Sequence, residues 1–108
     1  MISNGDDFIA TIRFKTTQEG GRKSPVSTGY WPQIKFHFTM WQSGGRYTFI
    51  DKKLVHPGDV VKASIKTLSP HFFEHSLKEG LEFEIREGAT IVGTGIIEKI
   101  LNPYLLVD

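Results

Sequence analysis

The residues with the greatest capacity for binding chemistry lie in and just after a glycine-hinged basic segment. Arg22 and Lys23 follow two glycines, and Tyr30, Trp31 and Lys35 come shortly afterwards. Arginine and lysine suit phosphates, and an exposed aromatic ring can stack on a base or a ribose. Two or three cations are common on any loop, so these residues alone favour an ordinary exposed loop over a nucleic-acid site.

A second group with chemical potential is a pair of histidines. His71 and His75 stand four residues apart with Glu74 between them, and on a helix both would share one face and could bind a metal ion. Two histidines are an incomplete ligand set, and the neighbouring Phe72 and Phe73 favour a packing role. We expect neither a metal ion nor a cofactor.

The motifs of catalysis are absent from the sequence. No Gly-x-x-x-x-Gly-Lys-Ser/Thr motif is present, which excludes a P-loop and the GTP hydrolysis that depends on it. Gly93-Thr94-Gly95 lacks the third glycine of a dinucleotide site, and the chain has neither cysteine nor a Gly-x-Ser-x-Gly elbow. We therefore expect no catalytic residue, no bound nucleotide and no enzymatic activity.

The sequence predicts that the elements that position these residues are β-strands. Apolar side chains alternate with polar ones, which is typical of a sheet with one buried face. The strand candidates are residues 8–15, 33–40, 47–50, 61–65, 81–86 and 90–100. The side chains predicted to fill one core are Ile12, Phe14, Ile34, Phe36, Phe38, Ile65, Phe83 and Ile85, and Met40 is also predicted to face inward.

The segments between the strand candidates carry turn signals. Residues 17–29 lack an apolar period and predict a long exposed basic loop, while residues 43–45 and 56–59 predict turns. Ser69, Pro70 and Gly80 could cap, begin and end a short helix, so we expect a helical insert near 70–79. Gly93 and Gly95 predict tight bends or close packing within the last strand.

Length and composition bound the architecture. The chain has 108 residues, 39% of them hydrophobic, with eight Phe, eleven Gly and a formal net charge of +1. This predicts one all-β domain over 1–108, a six-stranded antiparallel closed β-barrel without exposed sheet edges. The lack of cysteine, of a signal segment and of a long apolar run favours the cytoplasm and no membrane contact.

Three ordered motifs carry a family resemblance that covers about residues 8–101. The first motif is Glu19-Gly20-Gly21-Arg22-Lys23-Ser24-Pro25 with Gly29-Tyr30-Trp31-Pro32-Gln33. The second is Pro57-Gly58-Asp59, and the third is Phe83-Glu84-Ile85-Arg86-Glu87-Gly88 with Val92-Gly93-Thr94-Gly95. In this order they resemble the third, C-terminal domain of elongation factor Tu, standing here without the GTPase domain and the second domain. The resemblance implies a six-stranded barrel that performs no chemistry.

The resemblance also implies partners and contact residues. In the family this domain packs on the GTPase domain, touches the T-arm backbone of aminoacyl-tRNA and helps to bind factor Ts. Carried over by position, the residues that face the GTPase domain are Gly20, Gln33 and Glu84, and those near the tRNA are Arg22, Lys23, Glu87 and Gly88, with Gln33 at the rim of both. We therefore expect Arg22 to lie near Gln33 and Glu87-Gly88 on one surface.

The chain departs from the family pattern on these contact surfaces. Trp31 replaces an Arg, Glu84 replaces a small Ala, Thr90 replaces another Arg, and residues 70–80 are longer than the pattern. Two functions stay open: a translation-factor-like module that contacts tRNA, elongation factor Tu or factor Ts, and a protein-interaction barrel that uses Trp31 and Phe72-Phe73 for an unrelated partner.

Overall fold

The computed structural model describes residues 5–108, which contain eight strands. The strands are β1 Phe8–Phe14, β2 Val26–Ser27, β3 Gln33–Phe36, β4 Ser43–Phe49, β5 Leu54–Val55, β6 Val60–Thr67, β7 Glu82–Glu87 and β8 Thr90–Ile100. Six of them close into an antiparallel barrel in the order β1-β6-β4-β3-β7-β8, and the two short strands β2 and β5 pair separately. The all-β closed barrel predicted from the sequence is confirmed.

The alternation of β1 sets the inside of the barrel. Phe8, Ala10, Ile12 and Phe14 are at most 2% exposed, so the phase read from the sequence is correct. β1 pairs with β6 on one side and with β8 on the other, and this second pairing closes the barrel. A closed barrel leaves neither of these strands with an unpaired edge.

Aromatic rings fill much of the core. Phe36 is fully buried, and its ring centroid lies 5.2 Å from that of Phe73, 5.5 Å from Phe83 and 6.5 Å from Phe8. Edge-to-face and tilted arrangements of this kind suit the charge distribution of the rings. Of the eight predicted core residues all but Phe38 are buried, at 3% exposure or less.

The prediction for Phe38 and Met40 is wrong, since they are 42% and 92% exposed. β3 ends at Phe36, and the chain turns away from the sheet at the next two residues. Phe73, which comes from the insert, is 2% exposed and packs edge-on against Phe36. Phe38 stacks on Phe36 at 5.4 Å and remains partly open to solvent.

The turn predicted at residues 43–45 is also wrong, because these residues begin β4. The reason is steric. A Cβ atom on Gly45 would lie 2.5 Å from Ile34 Cδ1, so glycine lets the buried Ile34 side chain pack against β4. Gly95 is a similar case, since a Cβ atom there would clash with the Phe83 ring, and the close packing predicted for it is confirmed.

The insert forms less helix than predicted. In place of a helix near 70–79, a single 3₁₀ turn spans Pro70–Phe73, and the side chain of Ser69 makes no capping hydrogen bond. The following residues instead pair with the end of the chain, where Leu77 forms a parallel bridge with Leu106. Because the backbone hydrogen bonds go to this tail, the segment does not need a helix to satisfy them.

No helix within residues 5–108 is both long and apolar enough to cross a membrane.

Candidate binding surface around Arg22 and Glu87

A tight turn at the end of β1 positions the basic segment. Thr16 N–H donates to Glu19 Oε1 at 2.9 Å, and Glu19 N–H donates back to Thr16 Oγ1 at 3.1 Å. The hydrogen bond from the Thr16 backbone, followed by that from the Thr16 side chain, lowers the pKa of the Glu19 carboxyl. Gly20 then adopts a positive φ of 92°, which glycine tolerates, and Gly21 N–H closes the turn onto Thr16 O at 2.9 Å. Arg22 follows directly from this fixed turn.

The guanidinium of Arg22 is anchored by two neighbours. It forms an ion pair with Glu87 Oε2, and its Cζ lies 5.3 Å from the centroid of the Tyr30 ring. The Tyr30 hydroxyl donates to the same Glu87 oxygen at 2.5 Å. Residues from a loop, from the approach to β3 and from the end of β7 therefore meet at one carboxylate.

The electrostatics of this cluster follow from its partial burial. Burial lowers the pKa of the Arg22 guanidinium, but the hydrogen bond and charge of Glu87 more than offset this, so its pKa is raised. Burial, followed by the hydrogen bond to Glu87 and its charge, raises the pKa of the Tyr30 hydroxyl far above its usual range. Arg22 stays charged and Tyr30 stays protonated at physiological pH.

Two predicted residues complete this surface and one lies at its edge. Gly88 begins the exposed turn between β7 and β8 with φ of 62°, and Lys23 is exposed. Gln33 is half-buried in β3 and stands opposite Arg86, the residue before Glu87. We call Arg22, Lys23, Tyr30, Glu87 and Gly88 the Arg22 surface. The predicted proximity of Arg22 and Glu87 is confirmed; the roles of these residues in binding remain predictions.

A groove of about 580 Å³ runs along the outside of β3 and β7. Glu84 lies in it and accepts hydrogen bonds from Arg86 Nε at 2.9 Å and Nη2 at 2.5 Å. Lys35 stands opposite Glu84 in the strand pairing, while its Nζ donates to Phe36 O at 3.0 Å. Charges of both signs line this β3–β7 groove, which suits charged side chains of a protein better than a uniformly anionic partner.

The four residues predicted as a protein interface come from three parts of the barrel. Gln33 and Glu84 lie on the adjacent strands β3 and β7, whereas Gly20 lies in the turn after β1. Trp31 is 54% exposed and lies over Gly44 of β4, on the other side of β3 from β7. The sequence reasoning missed Arg86 as the partner of Glu84, although their i, i+2 spacing in a strand places both on one face.

His71 and His75 have separate neighbours in the structure. His75 Nδ1 lies 3.0 Å from Leu106 O, and His71 packs against the Phe72 ring at 4.5 Å between centroids. In the described part of the chain no three His, Cys, Asp or Glu side chains are grouped so that they could hold a metal ion.

A comparison with protein families agrees with the barrel and with the order of the sequence motifs. The family model of the elongation factor Tu C-terminal domain matches residues 1–101. The match spans all eight strands and includes every residue of the Arg22 surface and the β3–β7 groove. The insert after β6 lies within it, and the tail that pairs with the insert lies outside. The chain belongs to the elongation factor Tu C-terminal domain family.

Proposed function

We propose that this chain is a non-catalytic, translation-associated binding module that contacts the sugar–phosphate backbone of tRNA through the Arg22 surface. The observation that carries the proposal is the meeting of the Arg22 guanidinium, the Glu87 carboxylate and the Gly88 turn at one exposed place. A cation can bind a phosphate, a carboxylate can accept a hydrogen bond from a ribose 2′-hydroxyl, and an exposed glycine permits close approach. The cytoplasm is the compartment this function requires.

The charges of the Arg22 surface predict weak binding that depends on shape. Glu87 already neutralises part of the Arg22 charge, and the net charge of the chain is +1. With at most two phosphate contacts, the slope of log K against log salt should be about −2 or shallower. Recognition would come from the 2′-hydroxyls as well as from the phosphates, so the module should prefer RNA to DNA.

Fluorescence anisotropy with labelled tRNA at low and moderate salt tests the proposal. The Arg22→Ala, Lys23→Ala double variant should weaken binding and lower the salt slope by up to about two units. The matched control is Lys62→Ala with Lys99→Ala, which removes the same charge from β6 and β8. A DNA hairpin of the T-arm sequence should bind less well. Equal binding of both double variants, or no binding at low salt, would contradict the proposal.

A second candidate is docking on a translation factor through the β3–β7 groove. The supporting observation is the ordered Glu84–Arg86 pair opposite Lys35, on the face where the family resemblance places contacts to a GTPase domain. Elongation factor Tu and factor Ts are the partners to assay by pull-down with purified proteins. Glu84→Lys should abolish that binding and leave tRNA binding unchanged, whereas Glu82→Lys, also in the groove, measures the effect of charge alone.

A further inference from the structure

A second exposed surface lies on the side of the barrel formed by β4 and β6. Trp31 and Leu68 are 54% and 56% exposed, and with Arg46 and Lys66 they line a cleft of about 240 Å³. We call these four residues the Trp31 patch. Exposed apolar side chains gathered beside cations, unlike scattered ones, mark an interaction surface. None of the four belongs to the Arg22 surface.

A glycine keeps the Trp31 patch in shape. Gly44 lies beneath it in β4, where a Cβ atom would come within 2.7 Å of Leu68 Cδ1 and 3.1 Å of Trp31 Nε1. Leu68 N–H also donates to Gly44 O at 3.0 Å. The indole and the leucine side chain therefore rest close to bare backbone, and the cleft between them exists before any partner arrives. A preformed site loses little conformational entropy on binding.

The charge beside this cleft calls for an anionic partner. Arg46 and Lys66 stand directly opposite each other in the β4–β6 pairing, where like charges repel. Lys66 Nζ lies 3.8 Å from Oδ1 of the buried Asp7, which offsets part of the Lys66 charge. Among residues 5–108 no carboxylate lies within 4 Å of the Arg46 guanidinium.

We propose that the Trp31 patch binds an acidic peptide segment of a partner protein, with one bulky apolar side chain between Trp31 and Leu68 and flanking carboxylates on Arg46 and Lys66. The cleft is smaller than the roughly 300–1,000 Å³ of small-molecule sites, so it suits a single side chain better than a whole nucleotide. A guanidinium can hold a carboxylate through two hydrogen bonds. Tryptophan and arginine are also the side chains that dominate binding energy at protein interfaces.

Anisotropy with a fluorescein-labelled peptide, Gly-Asp-Glu-Phe-Glu-Asp-Gly, tests the proposal. Trp31→Ala should weaken binding at least about tenfold, because it removes one wall of the cleft. Arg46→Gln should weaken binding and reduce its salt dependence. The controls are Trp41→Ala, which removes another indole at 74% exposure, and Lys53→Gln, which removes an exposed cation elsewhere. Both should bind as the unaltered protein does, and melting curves verify that every variant is folded.

The two indole N–H resonances of the protein provide a measurement without substitution. Titration with the peptide should shift the Trp31 resonance and leave that of Trp41 in place, and a peptide with Ser instead of Phe should shift neither. Four results would overturn the proposal: no binding up to about 1 mM peptide, equal loss in the Trp31→Ala and Trp41→Ala variants, a larger Trp31 shift with an oligouridine than with the peptide, or concentration-dependent self-association that covers Trp31.

Discussion

The buried hydroxyl of Tyr47 leads to a prediction about the stability of the fold. Tyr47 in β4 has no exposed surface, and its hydroxyl has no hydrogen-bond partner among residues 5–108. Burial raises the pKa of this hydroxyl well above its ordinary value, so it stays neutral. The ring itself is well packed, with centroids 5.8 Å from Tyr30 and 6.3 Å from Phe49. Tyr47→Phe would keep these ring contacts and remove only the unsatisfied oxygen.

The expected change follows from the cost of burying a polar group without a partner. That cost is about 1–3 kcal/mol, so we expect Tyr47→Phe to raise the free energy of unfolding by about 1 kcal/mol or more. For a domain of this size the melting temperature should then rise by about 4 °C for each kcal/mol. Most substitutions of core residues do the opposite, which makes the sign of this change informative.

Urea denaturation followed by circular dichroism measures the effect as a higher midpoint with an unchanged slope. Tyr30→Phe is the matched control, because it removes a hydroxyl that donates to Glu87 at 2.5 Å and should lower stability by about 1 kcal/mol or more. If Tyr47→Phe instead lowers the free energy of unfolding by about as much as Tyr30→Phe does, the Tyr47 hydroxyl has a partner and the reasoning fails.

Two further predictions concern the core and the response to acid. Phe36→Ala should lower the free energy of unfolding by about 3–5 kcal/mol, because it empties the centre of the aromatic core, and an almost unchanged melting curve would refute that placement. The His56 N–H donates to Asp59 Oδ2 at 2.8 Å and, with the charge of Lys52, lowers the pKa of the Asp59 carboxyl. Because the pKa of Asp59 is depressed in the folded state, its carboxylate stabilises the fold at neutral pH, and this stabilisation is lost as the pH falls through the folded pKa. Urea denaturation from about pH 7 to about pH 3 should therefore show a smaller decrease in the free energy of unfolding for Asp59→Asn than for the unaltered protein. An equal decrease in both proteins would contradict this.

The strand phases could be read from the sequence wherever a local pattern decides them. In β1 every second residue is apolar, and a one-residue shift would expose all four inward side chains, so the pattern admits one answer. The meeting of Arg22 and Glu87 was predictable from the ordered motifs, although the residues stand 65 positions apart.

The predictions that were wrong concern features that distant parts of the chain determine. The alternation after Phe36 continues in the sequence, yet Phe73 of the insert lies against Phe36 and the strand ends there. Gly45 looks like a turn residue locally, but it lies in β4, where the Ile34 side chain occupies the space that a Cβ atom would take. Trp31 follows Tyr30 directly and still lies on a different face, because neighbours in an extended chain point to opposite sides.

The pairing that closes the barrel joins segments made at very different times. Phe8 of β1 pairs with Ile65 and with Ile100. At about 5–20 residues per second of synthesis, β1 would wait roughly 5–20 s for the end of β8. Contacts of such long range also form slowly once the chain is complete. During that interval β1 can pair with β6 but lacks β8, so one of its edges stays unpaired and open to a chaperone.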